Sequence, residues 1–284
     1  MTEARDLING TLDIPSLPMI FTRIDEAVNN PRSSLADIGR IISEDSSLTA
    51  RLLKIVNSAL YSFPNKIETI SRAVTVVGTQ QLRDLALATS VMKLFRGIPP
   101  DLIDMEAFWR HSIACGIAAR VLAALKREAN IERFFVAGIL HDIGRLVLCI
   151  KNPDWMRAAL GRCHASGELL YAVENEELGF DHAAVGRVLL ESWKLPASLV
   201  ETVACHHNPE AARRFPVEAA NVHLADIIAH AMQLGSTGER LVPTLSSVAW
   251  ERTGVADGQL AAAIEQVDRQ YLEAVEWMAP KGSV

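Results

Sequence analysis

Apolar residues recur at helical spacing along most of the chain. In the segment SLADIGRIISED, Leu35, Ile38 and Ile42 fall on one helical face, and Ser34 precedes them as a candidate N-cap. The same periodicity continues through SSLTARLLKIVNSALY, TISRAVTVVG and TQQLRDLALATSVMKLF. No segment alternates apolar and polar residues over the length of a strand, and no Asn-Gly or Asp-Gly turn joins two β-branched runs. The pattern predicts an all-α protein.

A break in this pattern divides the chain. The segment RGIPPDLID, residues 96–104, holds two prolines and a glycine. Further helices are predicted beyond it, in EAFWRHSIACGIAARVLAALKRE, FVAGILHDIGRL, a segment from about Pro153, ELLYAVENEELGFDHAAVGRVLLESW, LPASLVETVACHHNPEAA and PVEAANVHLADIIAHAMQLG. A stretch rich in Gly, Ser and Thr then introduces a last helical piece. The break at 96–104 therefore indicates two helical lobes.

Composition and charge narrow the function classes. The net charge of -6 argues against a dedicated nucleic-acid or membrane-surface protein, because both usually need a basic patch. The N-terminus lacks the pattern of a secretory signal, and no apolar run reaches the roughly 18 residues of a membrane span. The four cysteines form no CxxC pair, so we expect small buried residues in a reducing compartment. We expect a cytoplasmic protein with neither a nucleic-acid nor a membrane partner.

Histidine and aspartate residues gather in the second lobe. FVAGILHDIGRL places the adjacent His141 and Asp142 in an otherwise apolar segment, and His206 and His207 repeat this adjacency before a proline. Neighbouring side chains on a helix point about 100° apart, so both members of a pair reach one site only at a helix end or between packed helices. The candidate ligands are His111, His141, Asp142, His182, His206, His207 and Asp226.

These residue types suit a divalent transition metal. Imidazole and carboxylate together bind Zn, Fe, Mn or Ni, and a pair of such ions activates water for cleavage of phosphate esters. A carboxylate such as Asp142 could bridge two ions. Taken singly, each histidine is more often a hydrogen-bonded core or surface residue, and no helix carries an HExxH pair. The set as a whole predicts one or two metal ions.

The order of these motifs resembles the HDOD family, the HD-related output domains of bacterial signalling. FWRHSIA, GILHDIGRL and ELGFDHAAVGRVLLESWKLPASLVETVACHH carry the likeness in the second lobe. EDSSLTARLLKIVNSALY and ETISRAVTVVGTQQLRDL carry it in the first, and the resemblance covers about residues 14 to 230. It implies a two-lobed helical bundle whose C-terminal lobe is similar to the HD phosphohydrolases. The implied divisions are an N-terminal extension (1–13), an N-terminal lobe (14–98), an HD-like lobe (99–235) and a C-terminal helical extension (236–284).

The resemblance implies two functions of different classes. HDOD domains are regarded as regulatory modules, which implies a signal-transduction output, of the response-regulator kind, acting through contacts with a signalling protein that the sequence does not identify. The related HD and HD-GYP hydrolases hold metals with a His, His-Asp, His, His-His and Asp set, and every position of that set has a counterpart here. The alternative is a metal-dependent phosphohydrolase acting on a nucleotide or cyclic dinucleotide, with Asp142 and Arg145 as its catalytic residues.

Departures from the hydrolase pattern favour the regulatory hypothesis. No Gly-Tyr-Pro segment follows His207, and Arg145 stands where a lysine is usual after the His-Asp-Ile-Gly run. Arg120 and Arg187 are further candidates for phosphate contacts. His223 and His230 share a helical face with Asp226, and we expect them to support it or to pack. No receiver, kinase or GGDEF-type segment is recognisable, so we expect the signal to come from a separate protein or from the short extensions. The sequence does not indicate the oligomeric state.

Overall fold

The computed structural model describes residues 4–8, 14–95 and 97–278, with backbone only for 276–278. Most of the predicted N-terminal extension, Arg96 in the predicted break, and residues 279–284 lie outside this part. All regular elements within it are helical, and no strand occurs there, which confirms the all-α prediction. The α-helices are α1 (Ala4–Ile8), α2 (Met19–Asn29), α3 (Leu35–Ser43), α4 (Ser46–Val56), α5 (Ile70–Val77), α6 (Thr79–Val91), α7 (Met105–Leu125), α8 (Glu132–Leu140), α9 (Ile143–Lys151), α10 (Pro153–Ser166), α11 (Leu170–Leu178), α12 (His182–Ser192), α13 (Ala197–Cys205), α14 (Pro216–Ala231), α15 (Ser247–Thr253) and α16 (Asp257–Met278), and a 3-10 helix spans Pro209–Ala211.

Side-chain caps determine where several helices begin and end. Ser34 caps α3 as expected: its hydroxyl accepts from the Asp37 amide at 3.2 Å, and the Asp37 carboxylate accepts from the Ser34 amide at 3.0 Å. Helix α4 ends earlier than its apolar pattern suggests. The Asn57 amide group donates to the carbonyls of Leu53 and Ile67 and accepts from the Ile67 amide. Asn57 therefore ties the chain after α4 into a fixed loop.

Two segments that read as continuous helices are each split. FVAGILHDIGRL forms the end of α8 and the start of α9, with His141 and Asp142 at the turn between them. ELLYAVENEELGFDHAAVGRVLLESW forms α11 and α12, because Gly179 has the left-handed φ of +81° that ends a helix. Both breaks lie beside candidate ligands, so they turn those side chains away from an ordinary helical face.

Helix α7 lies at the centre of the bundle. It packs against α8, α14 and α16, and α6 packs on α8 from the other side of the predicted break. One apolar cluster runs through the described residues from Leu7 to Ala274. The two predicted lobes therefore share a continuous core, and the boundaries between them remain predictions.

Two close helix crossings bring the ligand-bearing elements together. A Cβ built at Gly138 on α8 would lie 2.6 Å from the Gly116 Cα on α7. A Cβ at Gly144 on α9 would collide with the carbonyl oxygen of His182 and lie 2.5 Å from the Gly186 amide on α12. Only glycine permits backbones to approach this closely. These contacts hold α7 against α8 and α9 against α12, and the turn at His141 and Asp142 joins the two pairs.

The cysteines occupy the helical core. Cys115, Cys149, Cys163 and Cys205 are all free and buried, as their lack of paired spacing predicts. Among the described helices, none combines the length and apolarity needed to span a membrane.

Candidate metal centre

All seven predicted ligands meet at the centre of the second lobe. Their ligand atoms form two groups, and within each group every atom lies within 4.8 Å of the others. Five of the seven stand at helix boundaries: the His141–Asp142 turn, the first residue of α12, and the pair that follows α13. The other two, His111 and Asp226, project from the faces of α7 and α14. The groups are His111, His141 and Asp226, and Asp142, His182, His206 and His207.

The first group is arranged around the carboxylate of Asp226. Nε2 of His111 lies 2.9 Å from Oδ1 of Asp226, and Nε2 of His141 lies 3.5 Å from the same oxygen. The side chains of His111 and His141 are 1% exposed and that of Asp226 is 6% exposed. This group is therefore shielded from solvent.

The second group is arranged around the carboxylate of Asp142. Its Oδ1 lies 3.0 Å from Nε2 of His182 and 3.6 Å from Nε2 of His206. Nε2 of His207 lies 2.8 Å from Nε2 of His182. Nε2 of His141 is 3.6 Å from the same Asp142 oxygen, so Asp142 and His141 join the two groups.

Hydrogen bonds on the outer side fix the orientation of three imidazoles. Nδ1 of His141 bonds the Gly138 carbonyl and Nδ1 of His206 bonds the Val203 carbonyl, each at 2.7 Å. A carbonyl oxygen only accepts, so each Nδ1 must donate. Nδ1 of His182 lies 2.6 Å from Oε2 of Glu174. In the neutral rings the Nε2 lone pairs therefore point into the cluster, as metal-ligating histidines require.

Several atoms at the centre of the cluster have no hydrogen-bond partner. Nε2 of His141, Nε2 of His206 and Oδ1 of Asp142 are buried without one. Leaving a buried polar atom unpaired costs about 1 to 3 kcal/mol, so three together need a compensating interaction. Nitrogen and carboxylate oxygen are the donors that Zn, Fe, Mn and Ni accept. The residues present therefore fit one or two such ions.

The acidic ligands are held in their charged form. Burial disfavours the charge on Asp142, but the Arg145 guanidinium and neighbouring imidazoles outweigh it and keep the pKa of that carboxyl well below its usual range. Burial likewise opposes ionisation of Asp226, but the hydrogen bond from His111 and the charge of the nearby His141 imidazole keep its pKa well below normal. Two carboxylates thus stay ionised in a dry site, where they attract a cation.

The pKa values of two histidines in the second group are shifted in opposite directions by their surroundings. Burial lowers the pKa of His182, but the carboxylates of Glu174 and Asp142 raise it to about 10. Burial, together with the imidazoles of His206 and His182, holds the pKa of His207 well below its ordinary value. A metal ion would replace protons on the ring nitrogens, so binding should release protons.

Sequence reasoning missed Glu174 and Glu239. Glu174 is fully buried, and its Oε2 accepts from both the ring and the backbone amide of His182. In the sequence it is one of several acids in VENEEL, and nothing there separates it from Glu176. The one feature that could have distinguished Glu174 is its position eight residues before His182, across the break between α11 and α12. Glu239 lies in a loop distant in sequence and forms an ion pair with Arg145.

The candidate arginines are already paired. The guanidinium of Arg145 is 1% exposed and lies 2.6 Å from Oε2 of Glu239 and 3.5 Å from Oδ2 of Asp142. Arg120 is buried against Glu132, and Arg187 lies on the surface beside Glu191. The structure places Arg145 beside the ligand cluster.

Two histidines of α14 that are not predicted ligands lie beside the cluster. Nδ1 of His223 donates to the carbonyl of His206 at 2.8 Å, so His223 holds the turn that carries two ligands. Nε2 of His230 lies 3.4 Å from Oδ1 of Asp226, and its ring centre lies 4.4 Å from that of His111. His223 is therefore a supporting residue, and His230 borders the first ligand group.

Sequence comparison places the chain among known proteins. The family model of the HDOD domain matches residues 14–209, which is more than half of the chain. An uncharacterised protein from Treponema pallidum is 29% identical over 218 residues, covering 76% of this chain and 42% of the relative. The chain therefore spans less than half the length of this curated relative.

Two solved structures share the fold over almost the whole chain. An HDOD domain protein of unknown function from Geobacter sulfurreducens is 24% identical, with a TM-score of 0.80 and coverage of 97% of this chain and 96% of that one. A candidate phosphohydrolase from Shewanella amazonensis is 28% identical, with a TM-score of 0.75 and coverage of 96% and 98%. These likenesses confirm the helical architecture and the resemblance found in the sequence.

Proposed function

The chain belongs to the HDOD family, and from that premise we propose that it is a metal-binding regulatory module of bacterial signal transduction. One or two divalent transition-metal ions would be held by the two ligand groups, and the module would act by contacting a signalling protein. The ions would tie α7, α12 and α14 to the turns after α8 and α13, so that metal occupancy sets the rigidity of the output domain.

One observation carries the metal-binding part of this proposal. The inward nitrogens of His141 and His206 and one oxygen of Asp142 are buried without partners, while the outward nitrogens of both rings are already bonded. A cluster built only for packing would pair these atoms or replace them with apolar groups. Two ring nitrogens and a carboxylate oxygen that face one another in this way are the arrangement expected of metal ligands.

The closure of the site supports a regulatory rather than a catalytic role. The side chains of His182 and His206 are fully buried, and that of Asp142 is 3% exposed. A catalytic metal site keeps an open position that substrate can reach. Arg145, the candidate phosphate contact, is neutralised by Glu239 and does not face solvent. In this conformation six of the seven ligands are buried and His207 is partly exposed, so the ligand atoms can hold ions but are not open to a large substrate.

Elemental analysis of the untagged full chain tests the proposal. We expect one or two equivalents of Zn, Fe, Mn or Ni in the wild-type protein and loss of most of this metal in His141→Ala and His206→Ala. Glu44→Gln is the control, because Glu44 is exposed, lies in the first lobe and belongs to neither ligand group. Failure of the wild-type protein to bind any of the four metals, after purification or after reconstitution, would rule out the proposal.

A second candidate function is hydrolysis of a phosphate ester. It is favoured by the division of the ligands into two groups joined through Asp142, and by the 28% identity to a candidate phosphohydrolase. A pair of divalent ions supplies positive charge that activates water and stabilises a phosphoryl group. Asp142 would position the ions, and Arg145 would hold the ionised form of that carboxylate.

The two candidates are separated by a screen for hydrolysis. Metal-loaded protein would be incubated with a phosphomonoester, a nucleotide and a cyclic dinucleotide, with Asp142→Asn as the inactive reference. The regulatory function predicts no turnover above that reference. Turnover at roughly 1 per second or faster, the lower end of ordinary enzymatic rates, would instead establish the phosphohydrolase.

A further inference from the structure

A segment without helical structure crosses beside the metal centre. Residues 233–246, here called the strap, connect α14 to α15. Of its apolar side chains, Leu241, Val242 and Leu245 are 40–47% exposed and Leu234 is partly buried against the core, so hydrophobic burial holds it only at its start. A cavity of about 280 Å³ lies between the strap and His230 at the end of α14. The position of the strap therefore depends on its polar contacts.

The first polar contact joins the strap to the ligand Asp142 through Arg145. One guanidinium nitrogen of Arg145 donates to Oε2 of Glu239 at 2.6 Å, and another donates to the carbonyl of Thr237 at 2.9 Å. The guanidinium also lies 3.5 Å from Oδ2 of Asp142. Glu239 in turn accepts from the Leu170 amide at 2.8 Å. A single buried cation thus touches a metal ligand and two residues of the strap.

The second contact joins the end of the strap to the ligand His206. The Ser246 amide donates to Nε2 of His223 at 3.1 Å, and Nδ1 of the same ring donates to the His206 carbonyl at 2.8 Å. The imidazole of His223 therefore bridges the strap and the turn that carries two ligands. Both nitrogens of this ring are used, so His223 has no free site for a metal.

The start of the strap rests on the backbone of α7 next to His111. The Ser236 amide donates to the Ala107 carbonyl at 3.0 Å. Gly235 has a φ of +79°, and a Cβ there would collide with the His111 amide. The strap thus contacts elements that carry ligands of both groups.

We propose that the strap is a metal-coupled segment, ordered when the ligand groups hold metal and released when they do not. The proposal rests on the metal binding proposed above and adds its consequence. Metal would fix the Asp142 carboxylate and the His206 ring, and these fix Arg145 and His223, which hold the strap. Coupling between two equilibria is reciprocal, so the ordered strap raises metal affinity by the same factor by which metal favours the ordered strap. Weakening the strap contacts therefore lowers metal affinity.

Because exposed apolar side chains lie on the strap, the coupling would change the molecular surface. Leu241, Val242 and Leu245 move with the strap, so its release changes the surface offered to other molecules. A static loop with the same contacts would show no dependence on metal. The difference between a coupled and a static strap is therefore measurable on the isolated chain.

Hydrogen exchange followed by mass spectrometry tests the coupling on the full chain. Exchange of peptides covering residues 233–246 is compared in chelator and in buffered zinc, with zinc binding measured on the same samples. We expect zinc to slow exchange in the strap by about fivefold or more, the lower end of ordinary coupling between sites. Peptides covering α2 and α3, remote in sequence from the ligands, should not change.

Two variants test the two contacts separately. Glu239→Gln removes the charge that pairs with Arg145, and His223→Gln breaks the bridge from Ser246 to His206. Each should reduce the zinc effect on strap exchange to less than about half and weaken zinc binding by about fivefold. Glu44→Gln is the matched control, because it makes the same change in an Arg–Glu pair of 2.5 Å on the opposite lobe. Circular dichroism confirms that the variants are folded.

The outcomes separate this inference from the proposed function. Stoichiometric zinc binding with strap exchange that is the same with and without zinc overturns the coupling and leaves metal binding intact. Absence of zinc binding in the wild-type chain overturns both. If one variant fails to fold, the wild-type comparison and the other variant still decide the question.

Discussion

Replacing Glu174 with glutamine isolates the contribution of a buried carboxylate that touches a ligand but does not itself face the metal centre. Oε2 of Glu174 lies 2.6 Å from Nδ1 of His182 and 2.8 Å from its backbone amide. Glutamine preserves the shape and can still accept a hydrogen bond. The substitution therefore removes the negative charge behind the His182 ring with little change in packing.

The size of the effect follows from this geometry. Burial alone would lower the pKa of His182, yet Glu174, with Asp142, raises it to about 10, so the carboxylate strongly increases the basicity of the ring. A more basic imidazole binds a metal ion more tightly, and loss of such an outer partner commonly costs tenfold to a hundredfold in metal affinity. That range corresponds to about 1.4 to 2.7 kcal/mol of binding free energy. We expect Glu174→Gln to fall within it.

Competition with a chelator of known zinc affinity measures the change at pH 7.5. Glu176→Gln is the matched control, because Glu176 lies on the same helix, is exposed, and pairs only with the surface residue Arg162 among the described contacts. We expect the control to bind zinc within about twofold of the wild type, since surface ion pairs contribute little. Zinc affinity of Glu174→Gln equal to that of the control would refute the reasoning that Glu174 tunes His182.

Three further predictions test interactions that stabilise the fold. Gly144→Ala should destabilise the protein by about 2 kcal/mol or more in urea unfolding, because its Cβ collides with the His182 carbonyl, whereas Gly161→Ala, with open space around it, should be neutral or stabilising. Asn57→Ala removes three hydrogen bonds that close a loop and should cost about 2 kcal/mol in the same assay. Burial opposes ionisation of Glu201, but three backbone amides of residues 213–215 lower its pKa, so its contribution to stability is present above the unfolded pKa and disappears as the pH falls through the folded one. Between about pH 5 and pH 3 the wild type should therefore lose more stability than Glu201→Gln, and parallel pH profiles of unfolding would contradict this assignment.

Helical periodicity was sufficient to predict the class of fold and most of the elements. It failed where a polar side chain or a glycine overrides the apolar pattern. Asn57 ends α4 by bonding to a loop ten residues away, and Gly179 splits α11 from α12. Neither event is visible in periodicity, because the deciding partner is distant in the chain or depends on a backbone conformation.

The ligands of the candidate metal centre could be predicted better than their supports. Adjacent His-Asp and His-His pairs stand out in apolar segments, and the structure brings all seven predicted residues together. Glu174 and Glu239 could not be selected, since their roles depend on burial and on tertiary contacts with His182 and Arg145. Arg145 was predicted as a phosphate contact of an enzyme, and in the fold its guanidinium contacts the carboxylates of Glu239 and Asp142 and the carbonyl of Thr237.

X-ray anomalous scattering from crystals of the metal-loaded chain tests the central claim most directly. Data on either side of the absorption edge would locate each ion and identify the element. The account predicts one or two peaks among the seven ligands, with nitrogen and oxygen atoms at about 2.0 to 2.2 Å if the metal is zinc. Peaks located only on surface residues, with no ion between His141 and His206, would contradict it.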